Sequence, residues 1–483
     1  MVRFCILLFI FLQACSPIRG LFNISDPKTN NYWWITILQG NVGSAYRENS
    51  ETLDENENAL VENVFPENLD AFNENVDALG WTLLVGAPNA NTVDSRLAID
   101  TNGFIYLAGS TDGGVYNEDP IGVRDIILGK YDSRKNVIWT KQVGVPGVNL
   151  SVVDVGVDEI GNVYIAGNTT GNFAQELRSG RDLFVIKFDP NGREVWRRQT
   201  GPIGERYSVS PEKIFVDPNG TSYIVGMSNG PFGGLTPGRN GFLFKIDEFG
   251  TERWRIQISI PGAEIFPEGV VVAHDTGDVF VTGSGNANFE NDTTPGAGNE
   301  DLFILKYNRA GRKQFFAQLG NALNTTEGTS VTLDTFGNLF VGGKSNANFD
   351  PGGASGTSSR GTLVKYDSSG VRQWIRQLGP IDGRRNTKIT AITTDALGNV
   401  YATGRTDGNV MDGSENSIGF EDAFLTKYDS FGNREWARQM GSTLGTGIRQ
   451  DPQGNFYWAG LTNTSLNEIQ PAGLPDLFLL KFR

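Results

Sequence analysis

The chain has 483 residues, of which 20% are charged, and 55 Asp and Glu against 41 Lys and Arg leave a formal net charge of −14. An acidic balance of this size, with no basic stripe to neutralise phosphates, argues against a nucleic-acid partner. A single histidine, His274, leaves a His-rich zinc site without ligands and makes any Ser-His-Asp triad depend on that one residue.

The N-terminus reads Met1-Val2-Arg3, an apolar run from Phe4 to Leu12, then Gln13-Ala14-Cys15. This is a short signal segment, 1–14, rather than a membrane span of about 20 residues. Leu12-Gln13-Ala14-Cys15 resembles a lipobox, which implies cleavage before Cys15 and a lipid on its thiol. The alternative makes Cys15 an ordinary residue of a discarded signal peptide. Cysteine arithmetic favours acylation, because Cys5 leaves with the signal and Cys15 then has no disulfide partner. The expected address is the bacterial cell envelope, lipid-anchored at the outer membrane, with periplasmic and surface faces both open.

Residues 15–80 form a tether. From Arg47 to Gly80 it is dense in Glu, Asp and Asn, and such composition cannot bury enough area to offset chain entropy, so disorder is expected. Tyr32 to Leu38 is the apolar exception, read as a short docking strand or an interfacial aromatic patch.

Residues 81–483 repeat one passage seven times. An Asp-x-x-Gly-Asn-type turn, anchored at Asp100, Asp158, Asp217, Asp275, Asp334, Asp395 and Asp451, is followed by an aromatic, a Gly, Asp-x-Phe, a Lys and a Trp. A period of roughly 58 residues marks an array of supersecondary units. In the second repeat, Val152 to Asp158, Asn162 to Gly167, Asp182 to Lys187 and Val195 to Gln199 are β-rich runs bounded by turn residues, hence four strands. The breaks at Asp158 to Asn162 and Asp189 to Gly192 are tight, so their flanking strands are antiparallel neighbours. The longer loops, Gly167 to Arg181 and Gly201 to Lys213, emerge together on the opposite face.

Sheets apolar on both faces must pack face to face, and a closed ring does this while protecting edges. The predicted fold is therefore all-β, a seven-bladed β-propeller of four-stranded antiparallel blades. In six repeats a Lys and a large aromatic stand nine residues apart: Lys130 and Trp139, Lys187 and Trp196, Lys245 and Trp254, Lys306 and Phe315, Lys365 and Trp374, Lys427 and Trp436. The seventh repeat reaches Lys481 without a fourth strand. Trp81 precedes Gly86 at the offset that separates Trp139 from Gly144, so Trp81 to Val85 is predicted to complete the seventh blade beside Asp476 to Lys481.

The pattern Asp-x-x-Gly-Asn-x-Tyr-x-x-Gly, then Asp-x-Phe-x-x-Lys-Tyr/Phe-Asp-x-x-Gly-x-x-x-Trp, resembles the bacterial β-propeller repeat family often called SBBP. It covers nearly all of Trp81 to Arg483. Departures are local: Phe315 for Trp, Ser259 for Gly, and Gly241 and Gly361 for the Asp before Phe. The resemblance implies an envelope or secreted propeller with no shared catalytic residues. The Asp-x-x-Gly-x-x-x-Trp portion is also similar to the blade motif of quinoprotein-like propellers, among them the lipoprotein of the outer-membrane barrel assembly machinery, and this implies an assembly scaffold. The longer period here argues against close identity with those.

Features present in every blade mark a folding unit rather than a unique site. The Trp is expected to pack between blades and the Lys to satisfy a carboxylate or turn carbonyl. The Asp turns could bind Ca²⁺, but self-capping by Asp explains them without metal. His274 is read as a turn residue rather than a catalyst. Asn286 to Phe289, Asn346 to Phe349 and Gly171 to Phe173 are read as anchors that tuck Phe onto the blade. The variable loops should surround one channel mouth, and there Arg206, Glu212, Arg384, Arg385 and Lys388 form the candidate binding face for a protein or glycan. The bland alternative is ordinary solvated loops. Asp94, Glu205, Glu264, Glu268, Glu327 and Asp382 would converge if they ring the same mouth, and a carbohydrate-active hydrolase or lyase could use such paired carboxylates. No catalytic residue, metal ligand or cofactor is assigned.

Overall fold

Val163–Thr169, the second strand of its repeat, shows why the chain folds as it does. Its β-branched and aromatic residues are buried on both faces, as are the equivalent runs Ile105–Thr111 and Val279–Gly285, which is the signature of strands sandwiched between neighbouring sheets. Fourth strands such as Val137–Val143 are half-exposed and form the outer edge. The computed structural model describes residues 80–234, 238–289, 298–349, 358–380, 384–411 and 419–482. The signal segment, Cys15, the tether and Asp382 lie outside the described residues.

The described strands, none of them interrupted by a helix, assort into seven four-stranded antiparallel units. Parallel pairing of Gly204 with Ser179 and of Ser208 with Arg181 links the second unit to the third. The inner strands are Thr92–Ile99, Leu150–Val157, Gly204–Val216, Ile265–Val272, Thr326–Leu333, Thr387–Thr394 and Thr443–Gln450. Each packs against the next, and the last packs back against the first, which closes the ring of a β-propeller. The hydrophobic core lies between consecutive blades; one cluster joins Tyr106, Leu128, Val155, Ile165 and Phe184 from the first two.

Trp81–Val85 pairs antiparallel with Asp476–Phe482, Trp81 facing Lys481 and Val85 facing Leu477. The predicted latch is thus the observed one.

The nine-residue spacing between Lys and Trp is a cross-strand partnership, Lys130 facing Trp139, Lys187 facing Trp196 and Lys365 facing Trp374. Together they clasp the following blade. Trp139 Nε1 and Lys130 Nζ both donate to Pro190 O, at 2.9 and 3.2 Å; Trp196 and Lys187 both donate to Glu248 O, at 3.0 Å each. The ring of Trp139 lies over Gly192, where a Cβ would come within 2.8 Å of it, so the turn glycine also makes room for its neighbour's indole. Two blades depart from this: Lys306 pairs with Asp278 at 2.9 Å and Lys427 with Glu435 at 2.7 Å.

A buried carboxylate organises the opposite loops. Asp182 accepts from Arg178 N, Ser179 N and Gln199 Nε2, while Gln199 Oε1 takes Phe173 N; Asp125 with Gln142 and Asp422 with Gln439 repeat the arrangement. The Asp leaves no space for a Cβ on the glycine ending the fourth strand, and Gly144, Gly201 and Gly320 would each collide with it. Where Gly241 removes the Asp, Ser259 stands in the glycine's place. In the third blade the two departures from the repeat thus occur together, whereas the fifth blade, with Gly361 in place of the Asp, keeps Gly379. Phe173 and Phe289 are buried against Phe184 and Phe303, at ring distances of 4.9 and 4.6 Å, as predicted for the loop anchors.

The tight turns are self-capped. Asp158 Oδ1 accepts Asn162 N, and Oδ2 accepts Asn162 Nδ2 and Tyr164 OH at 3.0 Å; Asp451 does the same with Asn455 and Tyr457. The fourth turn needs a correction. Ala273, not Asp275, occupies the anchor position, because Ala273 N bonds Asp278 O and Gly277 N bonds Ala273 O, one residue longer than in the other turns. The insertion leaves His274 exposed on the turn face.

Candidate channel site

Every inner strand carries a β-bulge at the same level, and the unpaired residue is what differs between blades. The bulges fall between Val93 and Arg96, Val152 and Asp154, Pro211 and Lys213, Pro267 and Gly269, Gly328 and Ser330, Ile389 and Ala391, and Gly445 and Gly447. A bulge inserts one residue against a single partner residue and re-aims its side chain. In three blades that residue is Thr. Thr329 Oγ1 lies 3.0 Å from Gly342 O in its own blade and 2.5 Å from Ile389 O in the next, and Thr390 Oγ1 lies 2.7 Å from Gly445 O. These hydroxyls staple successive inner strands. Arg96 does the same for the first two blades by donating Nε to Val153 O.

At two of the four other bulges, those of the third and fourth blades, the extra residue is Glu212 or Glu268. Neither carboxylate can donate to a neighbouring carbonyl, and both instead meet charges from other blades. Lys388 Nζ lies 3.5 Å from Glu268 and 3.4 Å from Glu327, whose other oxygen is 2.9 Å from Lys344. Deeper in the ring, Lys213 pairs with the buried Asp154 at 3.4 Å, and Asp154 also accepts Ile214 N. Burial pulls the Lys213 amine below its usual range, with Asp154 opposing and Arg449 and Arg96 adding to the shift.

Glu212 is the exceptional group. Its side chain reaches channel solvent, yet the enclosing protein pushes its pKa up to about 7, Glu268 adding to the rise while Arg96 and Lys388 oppose it. Burial also raises Glu268; Lys388 holds it down and Glu327 pushes it up. The first, third, fourth, fifth and sixth blades thus contribute to one electrostatic unit.

The structure brings together Glu212, Lys388, Glu268 and Glu327 from the sequence candidates. The other candidates stand apart from this cluster. Arg206 is exposed, stacked 4.8 Å over Tyr207 and bonded to its hydroxyl at 2.7 Å. Arg384 is exposed and Arg385 half-buried on the loop before Thr387. Glu205 is exposed, Glu264 pairs with Arg239 at 3.3 Å, and Asp94 sits in the first bulge with φ 61°. Arg96, Asp154, Lys213, Lys344 and Arg449 were not singled out from sequence. Four of them occupy inner strands close to positions where other blades carry Thr or Val, and aligning the repeats on the bulge would have exposed that contrast.

Five segments, 80–117, 138–174, 195–233, 314–350 and 373–410, match the SBBP family, described as Beta-propeller repeat. The chain is a β-propeller protein, and five segments of its propeller match the SBBP repeat. The WD repeat-containing protein L264 of Acanthamoeba polyphaga mimivirus is 24% identical over 249 residues, 39% of this chain and 18% of that protein, so the chain spans less than a fifth of this relative. Among solved structures, a protein from Dyadobacter fermentans aligns over 85% of this chain and 100% of its own, at 9% identity and a TM-score of 0.44. The polysaccharide lyase Uly1 aligns over 86% of this chain and 94% of its own, at 10% identity and a TM-score of 0.45.

Proposed function

We propose that the protein is an envelope-anchored lipoprotein whose propeller is a non-enzymatic binding platform for a protein or glycan, held to the membrane through a lipid on Cys15. The observation that supports this reading is the position of Lys388 between Glu268 and Glu327. Carboxylates bridged by one ammonium form a fixed pattern of mixed charge, suited to complementing a partner surface and to selecting among partners. Arg206, Arg384 and Arg385 extend the candidate face with planar donors that recognise carboxylates. A scaffold role in envelope assembly is one form of the same platform.

The test is capture of envelope proteins and of glycans by the wild-type chain and by the Arg206→Ala, Arg384→Ala, Arg385→Ala variant. A partner held by the first and released by the second supports the platform; identical capture by both removes these residues from the face.

Glu212 favours one second reading. A carboxyl titrating near neutrality beside another carboxylate is the pairing that hydrolases and lyases use as acid and base. Cleavage of a polysaccharide by the wild-type chain, abolished in Glu212→Gln, would establish that reading in place of the first.

A further inference from the structure

We infer that the cleft between the fifth and sixth blades is an oxyanion-binding site, independent of the channel. Arg360, Arg376 and Arg434 line a depression of about 650 Å³ there, together with Gln377 and Tyr428. No Asp or Glu lines it among the described residues, although the chain as a whole carries a net charge of −14.

The cationic character arises from a break in the repeat. In five other blades the third strand begins with the buried carboxylate that accepts from the loop amides, as Asp125, Asp182 and Asp422 do. In the fifth blade this position is Gly361. The Arg360 guanidinium approaches the glutamine that elsewhere serves the aspartate: Nη1 lies 3.4 Å from Gln377 Oε1 and Nη2 3.2 Å from Gln377 O. A negative group at the blade's core is thereby exchanged for a positive one at its edge.

The other two arginines are fixed by backbone. Arg376 stacks 5.4 Å over Trp374 and donates to Gly432 O at 2.6 Å and Phe431 O at 3.3 Å. Arg434 donates to Val410 O at 2.8 Å and Met411 O at 3.0 Å. Neither forms an ion pair with a described carboxylate, so both positive charges are oriented but not neutralised. The Tyr428 hydroxyl reports the same field: burial raises its pKa, while Arg434, Arg376 and Arg360 all pull it down. Guanidinium groups positioned by carbonyls, with N–H donors to spare, are suited to a sulfate or carboxylate group.

Calorimetric titration of the full chain with inorganic sulfate, dextran sulfate and neutral dextran tests the site, using Arg434→Gln, Arg376→Gln/Arg434→Gln and Arg198→Gln. Arg198 makes the same stack and turn contacts three interfaces earlier, between the second and third blades, on Trp196, Gly250 and Phe249, and serves as the control. The expected result is sulfate-group binding weakened about tenfold or more by Arg434→Gln, as for loss of a charged hydrogen bond, with Arg198→Gln unaffected. Dependence on Arg434 with inorganic sulfate places recognition in the free oxyanion; the same dependence with dextran sulfate alone places it in a sulfated polymer. Binding indifferent to Arg434, weakened equally by Arg198→Gln, matched by neutral dextran, or absent for both sulfate probes overturns the inference.

Discussion

Trp81 Nε1 and Lys481 Nζ donate to one backbone oxygen, that of Ser133, at 3.1 and 3.0 Å. Residues from opposite ends of the ring thus grip the first blade as Trp139 and Lys130 grip the second. Removing residues 81–85 strips a whole strand from the seventh blade and this clasp from the first. The expected outcome is a broad, early thermal transition in place of a single cooperative one. Lys481→Met, which keeps the stem but loses the donor, should cost about 1–2 kcal/mol in denaturant unfolding. Unchanged midpoints in both variants would show that closure rests elsewhere.

The Asp and Gly that bracket the outer strands of most blades make a second prediction. Gly201→Ser sets a side chain against Asp182 and should destabilise by about 1–3 kcal/mol through overpacking. Combined with Asp182→Gly, which recreates the Gly241 and Ser259 arrangement of the third blade, it should cost less than the sum of the two single changes, with a favourable coupling of about 1 kcal/mol or more. Strict additivity would mean that the two departures coincide by accident.

Glu212 gives a pH prediction. Its pKa is raised in the folded state from 4.5 to about 7, so the folded chain holds the proton more tightly than the unfolded one. That contribution is fully present below about pH 4.5 and is lost as pH rises through about 7. Relative to Glu212→Gln, the wild type should therefore lose stability between pH 5 and 8, by about 1 kcal/mol once solvent screening is allowed for. Parallel pH profiles for the two proteins would refute the raised pKa.

Cys15→Ser should move the full chain from the detergent-rich to the aqueous phase on partitioning, since one thiol carries the whole proposed anchor. Continued membrane partitioning would reject lipidation as the means of attachment.

Much of the fold was legible because a repeated sequence states its grammar several times. The nine-residue Lys-to-Trp spacing is the span of a hairpin that places the two face to face, and the Trp81-to-Gly86 offset was enough to find the latch. Asp275 was misread because a one-residue insertion moved Ala273 into the anchor position while leaving an Asp-x-Gly beside it. The channel cluster was only partly legible. Glu268, Glu327 and Lys388 stood out as charges near variable loops, whereas Lys213 and Arg449 lie within β-rich runs that read as ordinary inner strand. Only the bulge, which no residue type announces, turns those runs toward the axis. Arg360 escaped notice for another reason: its role follows from the Asp that Gly361 lacks.

The pairing of Trp81–Val85 with Asp476–Phe482 fixes a sequence of events during synthesis. Blades one to six can each assemble from contiguous chain as it emerges, but the first of the described strands has no sheet partner until the last of them arrives. Throughout elongation the nascent protein is an open arc with an unsatisfied edge at its start, the kind of surface that invites association with other chains. That edge stays open until Lys481 reaches Ser133.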